Sequence, residues 1–209
     1  MSKPTLILIG AGGHANSCID LIEQHSRYQI VGLVGMPEEV NTCRLGYPVI
    51  ASDDSLPQLV KKYEYALITV GHIRSSERRI RIYERVAELG FKLPIVISPF
   101  AHVSRHATFG AGTIVMHGAI VNAGSKVGIN CIINSRALLE HDSIVEDHCH
   151  ISTGAILNGG VHVGVGSFVG SGSIIKEGII LGKNCVVGMG LSVRRNQTND
   201  SQFVGNINK

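Results

Sequence analysis

The sequence predicts two units in series: an α/β N-terminal domain with a short Rossmann-like parallel sheet over 1–98, then a parallel β-helix over 99–195. Residues 196–209 are expected to form a tail. Three observations carry this. From Val103 to Val193 every sixth residue is apolar, with no exception and no insertion. A six-residue repeat is the signature of a parallel β-helix, and neither the helical period nor the plain strand period requires it. The first half instead alternates strand-like and helix-like segments, the order that gives a parallel sheet covered by helices. Gly is abundant, at 25 residues, as frequent tight turns demand.

Within the first half, Thr5–Gly10 is apolar without polar alternation, as a buried parallel strand should be. A helix is expected near 13–25, with Ile19, Leu21 and Ile22 on its apolar face. Gln29–Val34 and Tyr65–Gly71 read as further strands. A charged helix is expected from Ser75 to Leu89, burying Ile80, Tyr83, Val86, Ala87 and Leu89, with Gly90 at its C-terminal cap. Leu93–Ile97 reads as the last strand, broken by Ser98-Pro99. In the second half, fifteen six-residue intervals grouped three to a coil make about five coils. Stacked ~4.8 Å apart, they form a prism roughly 25 Å long. Each repeat buries its apolar phase only against its neighbours.

Composition narrows the function. Hydrophobic residues make up 44% and charged residues 17%, so the chain is globular. A net charge of +3 argues for neither nucleic acid nor a membrane surface as partner. No apolar run of ~18 residues exists and the N-terminus lacks a signal-peptide layout, so a cytoplasmic protein without membrane insertion is expected. The cysteines Cys18, Cys43, Cys131, Cys149 and Cys185 form no CxxC pair. Three share a hexad phase otherwise held by small side chains such as Ala119, Ser125 and Ala155, which marks them as buried small hydrophobes.

The register also singles out His141 and Asp142. One coil away on either side of His141 lie Ala123 and Gly159, and around Asp142 lie Gly124 and Gly160. The pair therefore sits in a trough of minimal side chains. The neighbouring column Asn122, Glu140, Asn158 is polar, either a hydrogen-bonded ladder, the reading favoured for the two asparagines, or part of a site. His148, His150 and His162 do not meet a carboxylate or thiolate at ligand spacing, so no metal is expected. Gly10-x-Gly12-Gly13 follows a strand and opens a helix, which suits a phosphate at the helix N-terminus. It departs from the dinucleotide fingerprint, with Ala15 in the place of the third glycine and no acid at Val34-Gly35-Met36, so NAD is not expected.

Hexads such as Val127-Gly128, Val163-Gly164 and Val187-Gly188 resemble those of the hexapeptide-repeat acyltransferases. Three further segments make the whole chain similar to the sialic-acid and bacillosamine-type sugar acetyltransferases: Ile9-Gly10-Ala11-Gly12-Gly13-His14, Val70-Gly71-His72 before an Arg-rich helix, and Asn134 through Asp142 followed by His148-Cys149-His150. The resemblance implies a left-handed coil, opposite to the usual hand of parallel crossovers, and a homotrimer. It also implies acetyl-CoA as cosubstrate, with transfer to the amine of a nucleotide-linked 4-amino-sugar. An O-acetyltransferase for sialic acid or a related sugar hydroxyl, and a non-catalytic β-helix scaffold, are the alternatives. By resemblance His141 is the general base, a role an imidazole suits near neutral pH, and Asp142 makes it more basic. Gly10, Gly12, Gly13, His14, Gly71 and His72 would hold the nucleotide-sugar. His150, Gly159, Ser171 and Met189 would meet coenzyme A. Two departures stand out: Val34-Gly35-Met36-Pro37 lacks the acids that UDP-sugar relatives carry there, and Val204-Gly205-Asn206-Ile207-Asn208 differs from the Val-Gly-x-Pro-Ala ending of many relatives.

Overall fold

The computed structural model describes residues 3–204. The first unit is a sheet of β1 (Thr5–Ile9), β2 (Gln29–Gly35), β3 (Cys43–Arg44), β4 (Tyr47–Ser52) and β5 (Tyr65–Ile68), in the order β3-β4-β2-β1-β5. All neighbours are parallel except β3 against β4. Helix α1 (Gly13–His25) covers one face and buries Ile19, Leu21 and Ile22, as their spacing requires. The short α2 (Leu56–Leu59) and α3 (Glu77–Glu88) pack on the other face, around Ile7, Ile9, Val34 and Ile68.

Several elements differ from the expectation. β3, β4 and α2 were not anticipated, because Cys43–Ser52 mixes polar residues, Gly and Pro, without two-residue alternation. β5 ends at Ile68, since the Thr69 hydroxyl turns back to the Gly10 carbonyl at 2.6 Å. α3 begins at Glu77, and its fully buried residues are Arg79 and Val86. Ile80, Tyr83 and Leu89 are half-buried and Ala87 is exposed. The helix is wedged between its own sheet and the second unit, which an apolar stripe on one helix cannot reveal. Gly90 has φ +91°, the left-handed cap expected of it. The strand expected over Leu93–Ile97 is β6 (Val96–Ile97), and it pairs with Ile114–Val115 of the second unit.

The second unit is a prism with three parallel faces. Face one runs from β6 through Ile132–Ile133, His150–Ile151 and Phe168–Val169 to Gln202–Phe203; face two from His102–Val103 to Ser192–Val193; face three from Thr108–Phe109 to Ile180–Leu181. Partners are 18 residues apart, as in Ile132 with His150. Every hexad residue from Val115 to Val193 is buried, and together they form the core. A second phase explains the cysteines. The side chains of Thr113, Ser125, Cys131, Cys149, Ser167 and Ser173 point inward and donate to the carbonyl 15 residues ahead. Small donors satisfy buried acceptors there without taking core volume.

A third phase turns the corners. From residue 112 to 190 every sixth residue has positive φ: nine glycines, together with Asn130, Arg136, Asp142, His148 and Asn184. Residues 196–204 are not a free tail. Gln197 bridges Leu181, and Gln202–Phe203 pairs with Val186–Val187, so partners here lie 16 residues apart. The coil continues two residues short, which hides it from a strict six-residue count. Gly205–Asn208 lie outside the described residues.

Leu157 is fully buried in the middle of this column. Leu157→Ala is expected to lower the unfolding free energy by about 2–5 kcal/mol, read from the denaturant midpoint. A loss under ~1 kcal/mol would show that the prism repacks around the gap.

Candidate active site

β1 stands between β2 and β5, so the chain leaves their carboxyl ends in opposite directions and opens a crevice there, the usual ligand position in open parallel sheets. A cavity of about 300 Å³ fills it, lined by the loop Gly10–His14, the end of β2, and Thr69–Gly71. Gly10 (φ +118°) is forced to be glycine, since a Cβ would lie 2.5 Å from Val70. Gly12 and Gly13 face open space, so nothing in the protein demands their bareness, and backbone N–H groups at the start of α1 are left accessible. Five of the six residues expected to bind the acceptor, Gly10, Gly12, Gly13, His14 and Gly71, line this cavity.

His72 does not line it. Its ring is buried against His150 (5.5 Å between centroids) and Phe168 (6.4 Å). Its carbonyl accepts from His150 Nδ1 at 2.8 Å, while Asn134 Nδ2 donates to His150 Nε2 at 3.1 Å. A ring that donates at Nδ1 and accepts at Nε2 is neutral. His14 lies 6.5 Å from His150, ring to ring, so the Gly10–His14 loop and the prism meet through three imidazoles. Burial first, then the Arg79 and His150 charges, hold His14 at about 3. Burial, then His150 and Arg79, hold His72 at about 3, and burial holds His150 at about 4. Arg79 itself is wholly buried. Its guanidinium donates to the carbonyls of Ile68 (2.9 Å) and Val70 (2.7 Å) in the first unit and Asn130 (3.1 Å) in the second. No carboxylate neutralises it among the described residues, and burial pulls it down to about 10.

A second, largely apolar cavity of about 410 Å³ lies against face one and its corner with face two. His150, Ser171 and Met189 line it with Ile73, Phe168 and Val204. The fourth residue expected there, Gly159, is elsewhere. It lies beneath His141, where a Cβ would stand 2.6 Å from Nε2. His141 Nδ1 is 2.9 Å from Asp142 Oδ2, both side chains are exposed, and Nε2 is left free above Gly159. Asp142 occupies a left-handed corner (φ 59°), which Asp tolerates better than most residues. Gly124, one coil earlier and on the opposite side from Gly159, leaves room for its carboxylate. In the polar column, Asn122 donates to Glu140 (3.0 Å), but Asn158 turns to the Ile175 carbonyl (2.8 Å). His148 pairs with Asn130 and His162 with Glu146, so the three histidines considered for a metal point to separate partners.

Sequence reasoning missed Glu39, Asp53 and Arg78, which also line the cavity at the Gly10–His14 loop. Glu39 brings a carboxylate to the end of β2. A short 3-10 turn, Pro37–Glu39, folds it back so that Oε2 accepts from Met36 N at 2.9 Å. Arg44 pairs with it at 3.3 Å and also donates to the Ala11 carbonyl.

Comparison with known proteins follows the two-unit architecture. Residues 5–86 match the PglD N-terminal domain, and residues 160–195 match the hexapeptide repeat of succinyl-transferase. The acetyltransferase domain of PglB from Neisseria gonorrhoeae, solved with acetyl coenzyme A, is 31% identical with a TM-score of 0.87, and 95% of each chain is covered. PerB from Caulobacter crescentus, solved with CoA and GDP-perosamine, is 29% identical with a TM-score of 0.86, covering 95% of this chain and 92% of that one. WeeI from Acinetobacter baumannii shares the fold at 19% identity and a TM-score of 0.69. The fold and these relatives together define a hexapeptide-repeat acetyltransferase with a left-handed parallel β-helix. At this identity over nearly the whole of both chains, the protein belongs to the sugar acetyltransferases represented by the PglB domain.

His14, His72 and His150 stay neutral when folded but titrate near 6.5 when unfolded. Their contribution to stability is therefore complete above pH 6.5 and is lost as pH falls toward 4 and 3. The expected loss is about 1 kcal/mol per group per pH unit below 6.5. Denaturant midpoints between pH 7 and pH 5 would measure it, and a flat profile would contradict it.

Proposed function

We propose that the protein transfers the acetyl group of acetyl-CoA to the 4-amino group of a nucleotide-linked amino-sugar used in surface glycan synthesis. The observation that carries this is the His141–Asp142 pair, with Nε2 free above Gly159. Asp142 accepts from Nδ1–H and so fixes the tautomer in which Nε2 is the base. Nε2 takes the proton of the acceptor amine as its nitrogen attacks the thioester carbonyl. The tetrahedral intermediate collapses, the C–S bond breaks, and the proton passes to the coenzyme A thiolate. Gly10, Gly12, Gly13, His14 and Gly71 hold the nucleotide-sugar, and His72 holds His150 in place. His150, Ser171 and Met189 meet coenzyme A along the apolar cavity.

The assembly we infer is a homotrimer. His141 lies on the corner between faces two and three, between Leu138–Leu139 and Ile144–Val145. In a three-sided prism that corner is opposite face one, where the α/β unit and both cavities lie. One copy cannot bring its own His141 to its own acceptor cavity, whereas a neighbour packed about a threefold axis can. Exposed Ile120, Ile144, Ile174 and Ile180 on faces two and three supply apolar surface for that contact. The cytoplasm is the fitting compartment: all five cysteines are unpaired and no helix is long and apolar enough to cross a membrane, both among the described residues.

His141→Ala is expected to lower kcat by about 10²–10⁴ with acetyl-CoA and an amino-sugar nucleotide. Activity within a few-fold of wild type would remove His141 from the role of base. Light scattering at micromolar concentration should give three times the 22.3 kDa chain mass, and a monomer would overturn the shared site.

A further inference from the structure

We propose that the acceptor's nucleotide is guanosine diphosphate, its base edge read by Asp53 and Arg78; this rests on the nucleotide-sugar reading above. The bare Gly12–Gly13 turn at one end of the cavity suits the diphosphate. The remaining wall includes Met36, Asp53, Arg78 and Ile82. Beyond Asp53, Arg78 and Ile82 it adjoins a hollow of about 340 Å³ between α3 and the 3-10 turn Asp53–Ser55.

Two carboxylates reach the cavity, and their situations differ. Glu39 is committed within the protein, to Met36 N and to Arg44. Asp53 is half-buried, and among the described residues no hydrogen bond or ion pair engages its carboxylate. Arg78 touches the Met36 sulfur at 3.3 Å and forms no ion pair among the described residues, with Asp53 or any other acid. An unpaired acid and an unpaired guanidinium thus line one cavity without meeting each other. A ligand with paired donors on one edge and paired acceptors on the next would satisfy both.

Guanine has that pattern. Its N1–H and N2–H₂ lie side by side, two donors for one carboxylate, and its O6 and N7 form the acceptor pair that an arginine fork matches. Uracil and thymine present a single N–H between two carbonyl oxygens, whose lone pairs would face the carboxylate. Adenine and cytosine place an acceptor beside their amino group. Met36 and Ile82 offer apolar contact to the ring.

Titration calorimetry of the full chain with GDP, UDP and inosine diphosphate tests this. Inosine diphosphate differs from GDP only in lacking the 2-amino group. GDP should bind about tenfold or more tightly than either of the others, as one bidentate contact implies. In Asp53→Asn the preference for GDP over inosine diphosphate should collapse to about one. Equal binding of those two by wild type, UDP binding tighter than GDP, or a preference unchanged in Asp53→Asn would each overturn the guanine reading while leaving a nucleotide-sugar acceptor intact. Failure of all three to bind would overturn both readings. Should Asp53→Asn not fold, the wild-type ratio decides alone.

Discussion

Each coil of this protein must turn three corners in 18 residues, and the backbone meets that demand with one left-handed residue in every six. The constraint is costly for any side chain, at ~1–2 kcal/mol for a residue with a Cβ, so glycine fills nine of the corners between 112 and 190. Because the corners are evenly spaced, every phase of the hexad becomes a straight column. One column is the apolar core, and another supplies the inward hydroxyls and thiols that cap carbonyls one coil on. Five corners carry a side chain instead. Asn130 and His148 are stacked where the α/β unit docks, and Asp142 is the partner of His141. At Asn130, Asp142 and His148 the backbone accepts strain where the corner side chain has a partner.

The second organising contact is Arg79. A buried guanidinium with no carboxylate needs acceptors for its donors; three carbonyls from two units serve Nε and Nη1, while Nη2 is left without a partner among the described residues. That bonding ties the end of β5 and Val70, beside the Gly10–His14 loop, to a corner of the prism. Its charge adds to burial in lowering the proton affinity of His14, His72, His148 and His150. One buried cation thus joins the units and conditions the imidazoles between them.

Much of this was legible from residues alone. The hexad series named the prism, its core and the inert cysteines. The register placed His141 and Asp142 among Ala123, Gly124, Gly159 and Gly160, and the structure shows why: Gly159 gives the ring its place and Gly124 leaves room for the carboxylate. The short last coil was not legible, because removing two residues destroys a strict count while leaving the pairing intact. Nor was Gly159's separation from the apolar cavity, since residues alike in turn character lie on different corners. Glu39 was hidden by its position beyond the end of β2. Only the folding back of Pro37–Glu39 returns it.

By itself the sequence determined what repeats: the coil length, the core, the phase of small donors, and the column that isolates a histidine–aspartate pair. Repetition turns spacing in the chain into position in space, so no further information was needed. The tertiary structure decided what does not repeat. It put Arg79 inside, moved β6 from the α/β sheet to the prism, placed His72 behind His150, and brought Asp53 and Arg78 to the cavity at the Gly10–His14 loop. Those arrangements arise from contacts between segments far apart in the chain, and such contacts leave no period to read.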